Sequence, residues 1–207
     1  MATLHTDAGS GARGVHASEE ARAEAGSLGF KLLLATLGML FGAVVLGVLA
    51  IRLGNTSRPD ALPPLPWQVW VSTVALFATS IAFMEVVAAQ RRGSDAGIRV
   101  GLVTAGCLAL LFSAMQGWAW YDWYEGMPEW EAATQQYRIG VMGFWVFTSL
   151  HVAHVLGGLV PLAMVGWYAV FRTWTASRSG LLRHTATYWH FLDAVWIVLL
   201  VTMLLVL

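Results

Sequence analysis

The stretch Ile139–Phe171, IGVMGFWVFTSLHVAHVLGGLVPLAMVGWYAVF, runs for 33 residues without a charged side chain. A helix needs only about 20 apolar residues to cross the hydrocarbon core of a bilayer. The stretch shows no alternation of apolar and polar residues, so it does not resemble the strands of a membrane β-barrel. Inside a helix every backbone polar group can be satisfied locally, as the bilayer requires. This sequence therefore predicts a transmembrane helix that tilts, bends or projects beyond the membrane.

Four further stretches repeat this pattern in a chain of 207 residues. Only 12% of the residues are charged, against about a quarter in an ordinary soluble domain. The apolar stretches predict an all-α polytopic membrane protein, a bundle of five transmembrane helices within residues 30–207. The predicted helices cover residues 30–51, 68–90, 99–121, 139–171 and 186–207.

Residues 1–29 are polar, rich in Ala, Gly, Ser and Glu, and contain no apolar run. We expect a flexible or surface-lying cytoplasmic tail there. The tail is not a signal peptide by sequence, because the apolar segment that follows, Phe30–Ile51, is longer than a cleavable one and is expected to be retained.

The basic residues predict the orientation of the chain. One side of the membrane would carry nine Lys and Arg and the other side three, so the positive-inside rule places the N-terminus in the cytoplasm and the C-terminus outside. We expect a multi-pass protein of the bacterial inner membrane. The third connection then forms an acidic, Trp-rich external surface, which is either an aromatic belt with solvated acids or a docking site for a basic soluble protein. Its acids are Asp122, Glu125, Glu129 and Glu131.

Charge and cysteine content argue against several kinds of partner and cofactor. The formal net charge is zero, without the basic excess expected of a nucleic-acid-binding surface. The single cysteine, Cys107, excludes a disulfide framework, and a thiolate zinc site or iron–sulfur cluster built from this chain alone.

Two features of the predicted helices concern helix packing. The third helix carries small residues at a spacing of four, a pattern that lets membrane helices approach closely. These residues are Gly101, Ala105, Ala109, Ser113 and Gly117. In the fourth helix Pro161 lacks an amide hydrogen, so we expect a kink around Gly157 and Gly158.

Polar side chains inside the predicted spans are the candidate site, because buried ionisable groups are costly in lipid and are usually functional. The set is Glu85, Thr148, His151, His154, His190 and Asp193. Three functions remain open from the residues alone. Histidines on two helices could ligate a b-type haem in an electron-transfer anchor; the carboxylates and histidines could form a proton or ion pathway; or the set could be a structural polar network inside a larger membrane complex.

Two segments of the C-terminal half resemble a known family. Thr148–Gly157, TSLHVAHVLG, resembles the T-G-F-H-G-L-H-V-I-x-G signature of subunit III of the haem–copper oxidases. Tyr188–Trp196, YWHFLDAVW, is similar to that family's Y-W-H-F-V-D-V-V-W signature on its last helix. A third segment, Gln116–Tyr121, is a weaker match to the G-Q-x-x-E-[WY] region. Five helices match the short bacterial form of the family, although Leu37 stands where the family has a buried Glu.

The resemblance implies an accessory, non-catalytic subunit of an aerobic terminal oxidase. Such a subunit binds no redox cofactor or metal itself, since haem and copper lie in subunits I and II. It packs against subunit I, holds phospholipid, and supports proton uptake and stability. Cytochrome c could approach near the external acidic loop. Related subunits serving a quinol oxidase or a nitric oxide reductase, and the b-haem anchor, remain the alternatives.

Overall fold

The computed structural model describes residues 8–54, 65–126, 135–171 and 179–206, and its regular elements are five helices. They are α1 (Ala8–Gly54), α2 (Gln68–Arg91), α3 (Asp95–Glu125), α4 (Gln135–Phe171) and α5 (Ser179–Val206). Each contains a segment long and apolar enough to cross a bilayer. The described part of the chain contains no strand. The prediction of an all-α protein with five membrane-spanning helices is confirmed.

The chain divides into two compact units, residues 1–40 and residues 41–207. The described part of the first unit is helical from Ala8 onward, where the sequence predicted a flexible tail up to residue 29. Ala, Glu and Arg make up most of residues 17–25, and all three are strong helix formers. These propensities favour a helix in the polar residues that directly precede the apolar segment.

Within the second unit α2, α3, α4 and α5 pack in a closed circuit, since α2 contacts both α3 and α5, and α4 contacts both α3 and α5. Phe83, Phe112 and Trp189 are fully buried at the centre of the larger apolar core. The part of α1 from Phe41 onward belongs to this second unit. Phe41 packs in a second apolar core with residues of α4 and α5 such as Phe144 and Leu199. Two packed cores thus fix the positions of the polar residues described below.

The turn between α2 and α3 is short and specific. Gly93 adopts a positive φ of 67°, a conformation that favours glycine. Ser94 then caps α3, because its side chain accepts a hydrogen bond from the amide of Gly97 at 3.2 Å. This turn sets α2 and α3 side by side along most of their length.

Candidate functional site

Ser80, His190 and Asp193 meet between α2 and α5, and we call them the Ser80 cluster. The Ser80 hydroxyl donates to Oδ2 of Asp193 and lies 2.5 Å from Nδ1 of His190. Nδ1 of His190 is 4.0 Å from the same carboxylate oxygen. Because a hydroxyl donates one hydrogen bond and accepts others, an Nδ1–H of His190 can donate to Ser80 while Ser80 donates to Asp193.

The Ser80 cluster provides a hydrogen-bond donor for the carboxylate of Asp193, which lies in a predicted membrane span. Asp193 is buried, and its Oδ2 has a donor, while no described residue bonds its Oδ1. A hydrogen bond from Ser80 offsets part of the cost of removing the carboxyl group from water. His190 and Asp193 were candidates by sequence; Ser80 was missed, because one Ser in an apolar helix gives no sign of the face it occupies.

His151 lies in different surroundings, although it was grouped with the same network. Its side chain is fully buried, and neither ring nitrogen has a hydrogen-bond partner among the described residues. The imidazole is enclosed by aromatic rings, with centroid distances of 6.3 Å to Phe41, 6.1 Å to Phe112 and 5.3 Å to Trp196. The aromatic contacts hold His151 in place without satisfying its polar atoms.

Thr148 and His154 form side-chain hydrogen bonds to the backbone of their own helix. The Thr148 hydroxyl donates to the carbonyl of Phe144 at 2.8 Å, and Nδ1 of His154 lies 2.7 Å from the carbonyl of Leu150. Both partners are four residues earlier in α4. These bonds connect Thr148 and Nδ1 of His154 to their own helix and not to another one.

Near Pro161, two residues of α5 bond to backbone carbonyls of α4. Tyr188 donates through its hydroxyl to His154 at 3.0 Å, and the indole of Trp189 donates to Gly158 at 3.3 Å. Gly158 lies against the Tyr188 ring, so closely that a Cβ there would come within 2.8 Å of it. Pro161 itself lies inside a continuous α4, and the kink around Gly157 and Gly158 stays a prediction.

Glu85 does not join the histidines. Its side chain is 70% exposed on the outer surface of α2, and its carboxylate lies 3.7 Å from the guanidinium of Arg92. The carboxylate therefore points away from the helix circuit, toward whatever surrounds the protein.

A second polar cluster lies near the start of α2, at the end of the helix away from Glu85. It was not identified from sequence. Gln68 donates to the carboxylate of Asp122, and Gln116 donates to the Ser72 hydroxyl at 2.7 Å. Gln68, Ser72 and Gln116 are all buried. In the same region the indole of Trp196 donates to Thr73 at 2.9 Å. Side-chain hydrogen bonds thus join α2 to both α3 and α5.

The small residues at a spacing of four in α3 differ in how deeply they are buried. Gly101 faces α2, where a Cβ would come within 2.5 Å of Val86, and Ala105 and Ala109 are fully buried. Ser113 is half-buried and Gly117 is exposed. Of the acidic residues predicted to lie on the external side, Asp122 accepts a hydrogen bond from Trp118 and Glu125 accepts one from Tyr121. Glu129 and Glu131 lie outside the described residues.

Among the described residues no group of three or more His, Cys, Asp or Glu side chains could hold a metal ion. His190 lies in a polar environment beside Ser80, and His151 lies in a separate, aromatic one.

Comparison with curated proteins returns relatives named cytochrome c oxidase subunit 3. The protein from Rhizopus stolonifer is 28% identical over 156 residues, which cover 73% of this chain and 52% of the relative. The protein from Corynebacterium diphtheriae is 27% identical over 132 residues, which cover 64% of this chain and 62% of the relative. These similarities support the resemblance of the chain to the cytochrome c oxidase subunit 3 family.

A cyanobacterial subunit 3, from Synechocystis, matches over a longer stretch, 25% identical over 176 residues that cover 77% of this chain and 68% of the relative. No protein-family model matches the chain. The chain spans between half and two thirds of the length of the fungal and corynebacterial subunit 3 proteins. The resemblance carried by the His151 and His190 segments is thus confirmed at the level of the subunit 3 family.

Proposed function

We propose that this chain is the accessory subunit III of an aerobic respiratory oxidase in the bacterial inner membrane. The catalytic haem and copper would lie in partner subunits I and II, which reduce O₂ and pump protons. This chain would pack on subunit I, hold phospholipid, and support proton uptake and stability, without a catalytic centre of its own. The observation that carries the proposal is the shared similarity to proteins named cytochrome c oxidase subunit 3.

The geometry of the described residues supports a structural role for the polar groups. His190 and Asp193 are joined to another helix through Ser80, and Tyr188 and Trp189 bond to the backbone of α4. The segment that carries the family resemblance on α5 therefore fastens α5 to two neighbouring helices. A network of this kind fixes the shape of the surface that partner subunits would contact.

The exposed apolar surface of the helices supports the proposal that the chain is part of a larger assembly. Large apolar side chains on every helix are exposed, among them Phe77, Leu110, Val160 and Leu205. Lipid or apolar faces of other subunits would cover them. At the end of α3, Asp122 and Glu125 lie beside exposed Trp118 and Tyr121, and we propose this surface as the place where cytochrome c could approach.

Substitution within the Ser80 cluster tests the assignment. In the tagged oxidase complex, His190→Ala and Asp193→Leu should each lower the amount of this chain that stays bound to the catalytic subunits, because α5 loses its link to α2. The haem spectrum of the remaining complex should keep its shape. Loss of the haem signal at an unchanged yield of complex would contradict an accessory role and favour a haem site in this chain.

A further inference from the structure

The helix α4 packs in both apolar cores, each with a different part of its length. Among the described residues, the last buried residue that α4 gives to the second apolar core is Phe147, and the first that it gives to the larger apolar core is Val155. At 37 residues α4 is about 55 Å long, well beyond the ~30 Å of a hydrocarbon core. One long helix thus joins two packed bodies, and its backbone between them determines whether they move together.

The segment Gly157–Pro161, directly after this changeover, is an intrinsically weak part of the α4 backbone. Pro161 has no amide hydrogen, so the carbonyl of Gly157 lacks the hydrogen bond that residue 161 would otherwise donate. Gly157 and Gly158 add conformational freedom, since a glycine inside a helix costs about 1 kcal/mol relative to alanine. Proline and pairs of small residues are common causes of bends in helices. Bending here would change the angle between the two parts of α4.

Two donors of α5 restrain this segment from the side. The Tyr188 hydroxyl donates to the carbonyl of His154 at 3.0 Å. The Trp189 indole donates to the carbonyl of Gly158, one helical turn further along α4, at 3.3 Å. The Tyr188 ring reaches the backbone because Gly158 has no side chain, and a Cβ there would come within 2.8 Å of the ring. Hydrogen bonds from a neighbouring helix therefore supplement the α4 backbone where Pro161 weakens it.

The Trp189 donor is itself held in place by another helix. Trp189 is fully buried in the larger apolar core and stacks on Phe83 of α2, with ring centroids 6.1 Å apart. The indole cannot follow α4 if that helix bends, because the stacking partner lies on α2. Bending at Gly157–Pro161 therefore requires the bond from Trp189 to Gly158 to lengthen or break.

We propose that Gly157–Pro161 is a hinge of α4, and that Tyr188 and Trp189 hold it closed. With both hydrogen bonds made, α4 is one continuous helix. When they are lost, the part of α4 before the hinge tilts, and the second apolar core moves against the larger one. The hinge goes beyond the proposed function, and it does not depend on which complex contains the chain.

Hydrogen–deuterium exchange of the full-length chain in mild detergent, followed by mass spectrometry, tests the hinge. Tyr188→Phe removes only a hydroxyl, and Trp189→Phe removes the indole donor. Each should speed exchange in peptides covering residues 158–166 about fivefold, which corresponds to one hydrogen bond of ~1 kcal/mol. Exchange in residues 141–150 should stay at the wild-type rate, because this part of α4 moves as a rigid body.

Trp196→Phe is the matched control. Trp196 is another buried tryptophan of α5, but its indole donates to Thr73 of α2 and not to α4. The substitution removes the same atoms from the same apolar core as Trp189→Phe does. It should leave exchange in residues 158–166 at the wild-type rate. Equal acceleration by Trp196→Phe and Trp189→Phe would overturn the proposal, since loss of core volume would then explain both.

Pro161→Ala gives an independent result of opposite sign. It restores the amide that bonds to Gly157, so the other amides of residues 158–166 should exchange more slowly than in the wild type, which loss of folding could not produce. In this background Tyr188→Phe should speed exchange less than it does alone, because the two changes act on one hinge. Wild-type exchange in both Tyr188→Phe and Trp189→Phe would overturn the proposal. Equal acceleration in residues 141–150 would also overturn it, since the whole helix would then be loosened.

Discussion

At the scale of single residues, Ser80 joins two ionisable side chains that cannot reach each other at hydrogen-bond distance. Ser80→Ala should lower the free energy of unfolding by about 1–3 kcal/mol, because Asp193 loses the donor to its Oδ2. Thermal unfolding of the detergent-solubilised protein measures the effect. The control is Ser113→Ala, whose hydroxyl bonds only to Ala109 of its own helix. Equal stabilities of the two variants would count against a joining role for Ser80.

His151 should respond to substitution in the opposite direction. Its two ring nitrogens have no partner among the described residues, and its neighbours are aromatic. His151→Phe replaces unpaired polar atoms with apolar ones of similar shape, so the unfolding temperature should stay the same or rise. The same unfolding assay checks this. A clear loss of stability would mean that the imidazole has a polar partner, such as a buried water.

The sequence identified most of the polar residues in the membrane but not their partners. His190 and Asp193 stand out because ionisable groups are rare in apolar helices. Ser80 could not be found in this way, because serine is common in membrane helices. Glu85 was grouped with the histidines, yet it faces outward. Which face a residue occupies depends on the rotation of the helix, and a helix that is apolar on all sides does not reveal its rotation.

At the scale of helices, Gly101 tests the close approach of α2 and α3. A Cβ there would come within 2.5 Å of Val86, a fully buried and stiff side chain. Gly101→Ala should therefore destabilise the protein by about 1–3 kcal/mol. Gly106→Ala on the same helix meets no atom within 4 Å and should be neutral or slightly stabilising. A comparison of unfolding temperatures that ranks Gly106→Ala as the more damaging variant would refute this packing.

The extent of the helices could be read from the sequence because the bilayer requires a minimum apolar length. The predicted second helix, 68–90, and the observed α2, Gln68–Arg91, differ by one residue. The structure extends α3 and α5 into their polar flanks, to Asp95 and Ser179, because backbone hydrogen bonding does not stop where apolar side chains do. Apolar length thus predicts the spans, while capping residues such as Ser94 determine where a helix begins.

At the scale of the whole molecule, the orientation remains a prediction from the positive-inside rule. Alkaline phosphatase fused after Leu207 should be active, because the C-terminus is expected outside, and the same enzyme fused after Gly93 should be inactive. Green fluorescent protein at the two positions should give the reverse pattern. An inactive phosphatase at Leu207 would invert the assignment of Asp122 and Glu125 to the external side.

The central proposal is that this chain belongs to an oxidase whose redox centres lie in other subunits. The most direct test is to purify the tagged full-length chain from aerobically grown cells in mild detergent and to record a reduced-minus-oxidised spectrum with identification of the copurifying chains. We expect haem in stoichiometric amounts together with copper-containing and haem-containing subunits, and its disappearance when the chain is separated from them. A stoichiometric b-type haem that stays with the isolated chain would contradict the account.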